Sequence, residues 1–258
     1  MEPLTLRRFF LSLLTLTLVV LPGCSIGSFI GAYFNTYYNA QKAFNEAESE
    51  VLTAVQQQNV ARTERPYLAP FDTPPQTRTK FATVIEKCSK LLQYHPESKL
   101  VDDALLMIGK SYFYQNDLQS AERKFKELLS TYPESDLVLE AKLLLAQTHY
   151  RSNDKTAAAT VAMELFEEAK AQGEDGITAE AGRLIGHIHL ENKNYEEALR
   201  YFQTAAELAE TSDDRAAMHR RVAEMHMHLG NYAKAAEAFA RSEDVGSSYM
   251  SKYQIGRA

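Results

Sequence analysis

The sequence predicts an all-α fold built from stacked antiparallel helix pairs, and two observations lead to this prediction. Hydrophobic residues make up 45% of the chain, alanine is spread throughout, and no long run of β-branched residues favours strands. Shifting the sequence on itself by 37 residues places residues 133–138 (PESDLV) over residues 96–101 (PESKLV). A repeat of this length is typical of arrays in which each helix pair buries its apolar face against the next.

Residues 1–23 have the pattern of a signal peptide. Arg7 and Arg8 precede an apolar run over residues 9–21. This run is too short to cross a bilayer as a helix, whereas a positive start followed by a short apolar stretch is typical of a cleaved secretory signal.

The end of the apolar run decides between secretion and anchoring. Residues 21–24 read LPGC, which resembles the lipobox of bacterial lipoproteins. The resemblance implies cleavage before Cys24 and acylation of its thiol, which would make Cys24 the lipidated first residue of the mature protein. Ser25 follows in place of the Asp that favours inner-membrane retention in enteric lipoproteins, so the outer membrane is expected. The alternative is an ordinary secreted protein with an unpaired Cys24.

Residues 24–76 are predicted to hold a long amino-terminal helix and a proline-rich crossing. Aromatic and small residues at helical spacing favour a helix from Phe29 to about Gln57. Four prolines between residues 59 and 75 exclude a helix there, and the apolar residues between them favour an ordered crossing. A flexible linker is the alternative.

Residues 77–245 are predicted to form the array. A helix over 77–94 opens it, and prolines in the turns after this helix and after the next pair stop each helix. Ser98 and Ser135 follow those prolines and are expected to cap the helices that begin there. We interpret Cys88 as a small core residue rather than a reactive thiol.

Within this array the spacing of small and aromatic residues is specific. Gly109, Tyr112, Ala121, Phe125 and Pro133 stand at positions 8, 11, 20, 24 and 32 of the tetratricopeptide signature, and on these residues the chain resembles tetratricopeptide-repeat proteins. The resemblance implies a solenoid of antiparallel pairs, each with a first helix (A) and a second helix (B). Later copies keep a small residue at position 8, namely Ala146, Gly186 and Ala223, and alanine at position 20, namely Ala158, Ala198 and Ala235. Ala162 stands at position 24 of the second copy, where less packing is expected than around a phenylalanine.

The repeat, its proline turns and the lipobox together resemble the BamD-like and Tol-Pal accessory lipoproteins of the outer membrane. This resemblance implies a scaffold on the periplasmic face of the outer membrane that mediates protein–protein interactions in envelope or outer-membrane protein assembly. The implied partners are other envelope proteins or peptides, with the membrane reached through the lipid anchor. The alternative function is a tetratricopeptide lipoprotein component of a secretion or gliding-motility apparatus.

Motifs of enzyme chemistry are missing from the sequence. It has no glycine-rich phosphate loop, HExxH, nucleophile elbow or CxxC, so we expect no catalysis, cofactor, metal or small-molecule substrate. The net charge of -6 argues against nucleic acid as a partner. His149, His189 and His226 stand at position 11 and are expected to be packed rings, with a metal-binding or pH-sensing column as the alternative.

The tetratricopeptide resemblance implies a binding surface on the concave face, lined by positions 2, 5, 9 and 12 of each A helix. An apolar helix or extended segment with a few charges is the expected ligand. The alternative is that the protein's own amino-terminal helix fills this groove. The predicted partner-binding residues are Leu106, Lys110, Phe113, Leu143, Gln147, Tyr150, Arg183, His187, Leu190, Arg220, Glu224 and Met227.

Residues 246–258 are predicted to start a further, incomplete repeat. Ile255 and Gly256 fall on positions 7 and 8 of such a copy, and Tyr249 and Tyr253 would add to its apolar face. Two interpretations follow: the chain is a fragment of a longer array, or this face is an interface.

Overall fold

The computed structural model describes the backbone of residues 23–57 and 72–245 and the side chains of residues 35–55 and 72–242. Ten α-helices form in this part of the chain, which confirms the all-α array of stacked pairs. The predicted signal peptide, most of the crossing and the predicted incomplete repeat lie outside the described residues. The helices are α1 (Gly23–Gln57), α2 (Pro75–Tyr94), α3 (Val101–Tyr114), α4 (Leu118–Thr131), α5 (Val138–Arg151), α6 (Lys155–Gln172), α7 (Asp175–Glu191), α8 (Tyr195–Leu208), α9 (Ser212–His228) and α10 (Tyr232–Val245).

Each helix packs against the next one along the chain, and the odd-numbered helices are the A helices of five pairs. Helices α1, α3, α5 and α7 also touch in succession, and no pair of B helices in the described part of the chain makes comparable contact. The array therefore curves with the A helices on its inner side. We call the surface formed by positions 2, 5, 9 and 12 of the A helices the inner face.

Helix α1 opens the stack as the A helix of its first pair. Its described extent runs from Gly23, six residues before the predicted Phe29, to the predicted Gln57. Its buried stripe packs on α2, where the rings of Phe44 and Phe81 lie 5.9 Å apart, and α1 also contacts α3. Because α1 stacks beside these helices as a further layer, the alternative in which it fills the groove is wrong. The buried stripe consists of Ala40, Phe44, Ala47, Val51 and Val55.

Small residues let the paired helices approach where the repeat pattern places them. A Cβ built on Gly109 would lie 2.5 Å from the Phe125 ring, and one on Gly186 would lie 2.6 Å from the Phe202 ring. Both rings are fully buried. The phenylalanine at position 24 therefore occupies the space that glycine leaves open at position 8.

The A-to-B turns share one backbone geometry. Position 15 has a positive φ in every copy: 63° at Asn116, 68° at Asn153, 59° at Lys193 and 74° at Gly230. The next N–H then bonds to the carbonyl of position 11, the pattern of a Schellman C-cap. Asp117 and Asp154 follow at position 16, where each carboxylate caps its B helix.

The B-to-A turns correct one expectation. Ser98 and Ser135 are not the N-caps of α3 and α5, which are Leu100 and Leu137. Each serine lies two residues earlier and accepts a bond from the leucine N–H, at 3.1 Å from Leu100 and 3.2 Å from Leu137. The hydroxyl therefore stabilises the turn rather than the first turn of the helix.

Candidate functional site

The twelve side chains predicted to bind a partner all lie on A helices, but most of them are not accessible. Five are partly exposed, namely Lys110, Leu190, Arg220, Glu224 and Met227. The other seven, Leu106, Phe113, Leu143, Gln147, Tyr150, Arg183 and His187, are buried at 3–8% exposure. Because these seven side chains are packed inside the array, they do not offer an open groove in this conformation.

Polar contacts cross the inner face from helix to helix. At its amino-terminal end, the Lys110 ammonium on α3 lies 3.2 Å from the Glu48 carboxylate on α1 and 3.5 Å from the Glu140 carboxylate on α5. Glu48 also accepts a 2.8 Å bond from the Tyr114 hydroxyl. The pKa of Tyr114 is raised well above its usual value, mainly by burial and then by the Glu48 charge. Lys110 thus belongs to a bridge that spans three helices.

Similar contacts join the later A helices. The Tyr150 hydroxyl on α5 bonds to the Glu191 carboxylate at the end of α7. Lys155 pairs with the same carboxylate at 3.0 Å and lies 3.4 Å from the centre of the Tyr150 ring. On α7, the Arg183 guanidinium bonds to Asp214 on α9 at 3.1 Å. A partner cannot reach Tyr150 or Arg183 without opening these contacts.

The accessible part of the predicted surface is concentrated on α7 and α9. Leu190 and Met227 occupy position 12 of consecutive copies and rest on the core while keeping part of each side chain exposed. Glu224 lies one turn and Arg220 two turns before Met227 on α9. Burial lowers the pKa of Arg220, and the nearby Glu224 charge opposes this shift. We call these four residues the α7–α9 strip.

An acidic edge on the inner face was not predicted from the sequence. Asp103, Glu140 and Glu180 stand at position 2 of three consecutive copies, and all are partly exposed. The pKa of Asp103 is raised by burial first and then by the charges of Asp102 and Glu140. The regular spacing of these acids could have indicated the edge, because one residue per copy at a fixed position must align along the array.

The histidines are packed rings. His189 stacks on Tyr201 with ring centres 5.7 Å apart, and His187 meets Phe202 edge to face at 5.1 Å. Burial lowers the pKa of His187 to about 3, with further contributions from Arg221, Arg183 and Lys155. No group of three or more histidine, cysteine or acidic side chains in the described part of the chain is placed to hold a metal ion.

Cys88 lies in the core, as its repeat position predicts. Its side chain is 1% exposed, and its sulfur lies 3.8 Å from the Met107 sulfur. Burial raises the pKa of the thiol to about 12, so the nucleophilic thiolate is scarce at neutral pH. The Cys24 side chain lies outside the described side chains. Within the described residues, no helix combines the length and apolar character that a membrane span requires.

Comparison with known families agrees with the repeat assignment. Residues 103–135 and residues 183–248 each match a model of the tetratricopeptide repeat. These segments cover most of the first copy and of the last two copies identified in the sequence. Scaffolds of this kind are typically non-catalytic. No curated protein matches the chain by sequence.

Solved structures show the same fold at low identity. MamA matches with a TM-score of 0.53 and 15% identity, over 74% of this chain and 100% of that one. BtubC (BKLC) from P. vanneervenii matches with a TM-score of 0.59 and 14% identity, over 83% and 91%. A tetratricopeptide repeat protein from Parabacteroides merdae matches with a TM-score of 0.55 and 15% identity, over 84% and 72%. At these identities the likeness concerns the fold alone.

Proposed function

We propose that this tetratricopeptide-repeat protein is a lipid-anchored scaffold on the periplasmic face of the outer membrane, where it binds a partner protein during envelope or outer-membrane protein assembly. Repeat arrays of this class mediate protein–protein interactions through extended surfaces. The observation that carries the proposal is the α7–α9 strip, the part of the inner face where apolar and charged side chains are accessible side by side.

The chemistry of the strip favours an amphipathic ligand. Leu190 and Met227 supply apolar area, and methionine adapts readily to different ligand shapes. Arg220 and Glu224 place both signs of charge beside this area. A short helix or extended segment with apolar anchors and flanking charges would match these groups.

The anchor supports the proposed location. Cys24 is preceded by the lipobox-like residues 21–23, and one acyl chain alone gives only marginal membrane attachment, whereas several chains hold firmly. The described helix α1 includes residue 24 and continues into the first pair. The array would therefore stand close to the membrane surface.

Fractionation of cells tests the anchor. Wild-type protein is expected in the outer-membrane fraction, and the Cys24→Ala variant is expected to lose this association because it has no thiol to acylate. Cys88→Ala is the matched control, since it removes the other cysteine and should leave the location unchanged. Unchanged membrane association of the Cys24→Ala variant would contradict the proposal that Cys24 is the lipid-anchored residue.

Affinity capture from crosslinked envelopes tests the scaffold role. Replacing Leu190 and Met227 with glutamine is expected to reduce partner recovery while leaving the helical circular dichroism intact. Met163→Gln is the matched control, because Met163 is 47% exposed on the B helix α6, away from the inner face. Recovery of barrel-assembly subunits supports the proposal. Recovery of secretion-ring or motility subunits would favour the alternative function in a secretion or gliding-motility apparatus. Equal partner recovery by the strip variant and by Met163→Gln would contradict binding at the α7–α9 strip.

A further inference from the structure

Arg220 on α9 is a partly buried cation without a counter-ion. Its guanidinium forms no ion pair or hydrogen bond within the described part of the chain, although burial lowers its pKa. The carboxylate of Glu224, one turn later on the same helix, bonds instead to Arg221 at 2.8 Å. A charge that is drawn partly out of water without a partner costs free energy, and a carboxylate that reached the guanidinium would stabilise it.

The preceding copy shows which groups satisfy an arginine at this position. Arg183 also stands at position 5, and its guanidinium lies 3.1 Å from Asp214 on the following A helix and 3.6 Å from Glu180 on its own helix. Glu180 lies three residues before Arg183, whereas the residue three before Arg220 is Ala217. Within the described residues, Arg220 therefore has neither of the carboxylates that pair with its equivalent.

The electrostatic surroundings on α7 and α9 favour an anion, although the protein as a whole carries a net charge of -6. The pKa of His187 is lowered to about 3, by burial first and then by the positive charges of Arg221, Arg183 and Lys155. Each of these three cations already pairs with a carboxylate. The charges that act on the His187 ring are nevertheless positive, so this part of the inner face attracts a negatively charged group.

The sequence after α10 has no acidic side chain to offer to Arg220. Residues 246–258 contain no aspartate or glutamate. The residue that stands one copy after Asp214, at the same spacing of 37, is Ser251. A partner molecule is therefore the source of the carboxylate that the copy pattern places at Arg220.

The spacing of accessible groups on α9 indicates the form of this partner. Met227 is partly exposed and lies seven residues after Arg220, about 10 Å along the helix. A partner helix that lay along α9 would meet both residues with side chains two turns apart, because its rise per residue is the same. The array itself supplies a carboxylate to Arg183 from a helix, since Asp214 lies in the first turn of α9.

We propose that the partner protein presents a helix with an acidic side chain, whose carboxylate binds the Arg220 guanidinium while an apolar side chain two turns away packs on Met227. This inference rests on the proposed scaffold function and states the chemistry of the partner at the α7–α9 strip. The acidic side chain gives specificity, because a helix with glutamine at that place would leave the guanidinium without a counter-charge, and one with lysine would be repelled.

Binding of synthetic helical peptides to the full chain tests the carboxylate directly. Three otherwise identical alanine-based peptides of about 18 residues, long enough to form a helix in water, carry a leucine and, two turns away, glutamate, glutamine or lysine. Fluorescence anisotropy is expected to show that the wild-type protein binds the glutamate peptide several-fold more tightly than the glutamine peptide, and the lysine peptide most weakly. The Arg220→Glu variant should show the reverse order. The same order in both proteins, equal binding of the three peptides by the wild type, or no binding of any of them would overturn the proposal.

Arg200→Gln is the matched control for the peptide measurement. Arg200 lies on the B helix α8 with its side chain 64% exposed, so this variant removes one positive charge away from the inner face. Its preference for the glutamate peptide should equal that of the wild type, and loss of the preference would overturn the assignment to Arg220. If Arg220→Glu disturbs the helical circular dichroism, Arg220→Gln takes its place and should bind the three peptides alike.

Capture from crosslinked envelopes separates this inference from the proposed function. The Arg220→Gln variant is expected to recover several-fold less partner than the wild type. Undiminished recovery by Arg220→Gln, while replacement of Leu190 and Met227 with glutamine still reduces recovery, would overturn the acidic helix and leave the scaffold function standing. Recovery of no partner by the wild type would contradict the scaffold function and the inference with it. Light scattering covers the remaining occupant: self-association of the wild type that Arg220→Gln abolishes would identify a second copy of this chain on the strip and would overturn the proposal.

Discussion

Lys193 holds a backbone conformation that its side chain disfavours. Its φ of 59° lies in the left-handed region, where the Cβ of an ordinary residue approaches the following carbonyl oxygen. The same turn position is asparagine in two copies and glycine in a third, residues that tolerate this region well. Lys193 is exposed, so no packing contact compensates for the strain.

Relieving this strain should stabilise the protein. Lys193→Gly is expected to raise the free energy of unfolding by about 0.5–1 kcal/mol, the difference between relief of strain and the greater freedom of glycine in the unfolded chain. Urea denaturation measures the change. Lys193→Ala is the control, because it removes the same side chain while keeping a Cβ. Equal stabilities of the two variants would show that the backbone at this turn carries no strain.

The Phe202 ring lies so close to Gly186 that it leaves no room for a side chain at this position. Gly186→Ala is expected to lower the free energy of unfolding by about 1–3 kcal/mol, because the new methyl group would overlap the buried Phe202 ring. Gly176→Ala in the same helix is the control. A Cβ there would meet only the carboxylate end of Glu210, which can move into solvent. Thermal unfolding compares the two variants, and a Gly186→Ala protein as stable as the control would contradict the close approach.

These residue-scale features differ in how far the sequence reveals them. The small residue at position 8 and the phenylalanine at position 24 are visible as a repeated pattern, and the contact between Gly109 and Phe125 follows from it. The burial of Tyr150 and Arg183 does not follow, because it depends on how closely successive A helices approach. That approach is set by contacts between copies, which a pattern within one copy does not contain.

At the scale of the helices, α1 is joined to the array by more than its apolar stripe. Glu48 connects it to Lys110 and Tyr114 on α3, and its side chain is only 23% exposed. Glu48→Gln is expected to lower the free energy of unfolding by about 1 kcal/mol, because the charge that Lys110 faces is lost in a partly buried place. Urea denaturation at low salt measures this loss.

Glu46→Gln is the control for this prediction. Glu46 pairs with Lys80 at 3.7 Å in an exposed position, where such a pair contributes little. The two glutamine variants should therefore differ, and the difference should shrink in high salt. Identical stabilities would indicate that α1 is held by its apolar stripe alone.

The sequence predicted bounds for two helices, and both reach the residue at which they were expected to end but extend further at the start. The predicted helix over 77–94 is α2, which begins two residues earlier at Pro75, a residue favoured in the first turn of a helix. Residues 23–28 are also helical, so the predicted start of α1 lies at least six residues too late. The few residues between Cys24 and Phe29 include serine and glycine, and their pattern does not distinguish a continuing helix from a linker.

For the whole molecule, buried neutral histidines couple stability to pH. The pKa of His187 is lowered to about 3, and burial also lowers the pKa of His189, His219 and His226. The unfolded chain takes up protons near pH 6.5, whereas these rings take them up only at a lower pH in the fold. Stability that is fully present above pH 6.5 should therefore be lost as the pH falls below it, by at most about 1.4 kcal/mol per pH unit for each group.

Denaturation between pH 7 and pH 5 measures this slope. His187→Gln should reduce it, because glutamine cannot take up a proton in the unfolded chain, although its stability at pH 7 will also change. His95→Gln is the control, since His95 lies in a turn and is partly exposed. An unchanged slope in His187→Gln would show that His187 titrates alike in both states.

The function of the whole molecule was less accessible from the sequence than its fold. Copies with small and aromatic residues at fixed spacing specify stacked pairs, because that packing is the common requirement of every such array. Partner choice depends on which side chains remain exposed after stacking. Leu190 and Met227 were in the predicted set together with buried residues such as Phe113, and nothing in the spacing separates the two groups.

The two sides of the array are expected to resist bending to different degrees. Polar contacts between neighbouring A helices resist any load that would unwind the arc, whereas ion pairs on the B helices α2, α4 and α8 join residues of one helix and do not oppose bending. A partner that straightened the array would have to break the polar contacts between A helices, which costs free energy. A partner that increased the curvature would leave these contacts in place. Salt should soften the inner side selectively, so the radius of curvature should grow with ionic strength. The inner contacts are Glu48–Lys110, Lys110–Glu140, Tyr150–Glu191 and Arg183–Asp214.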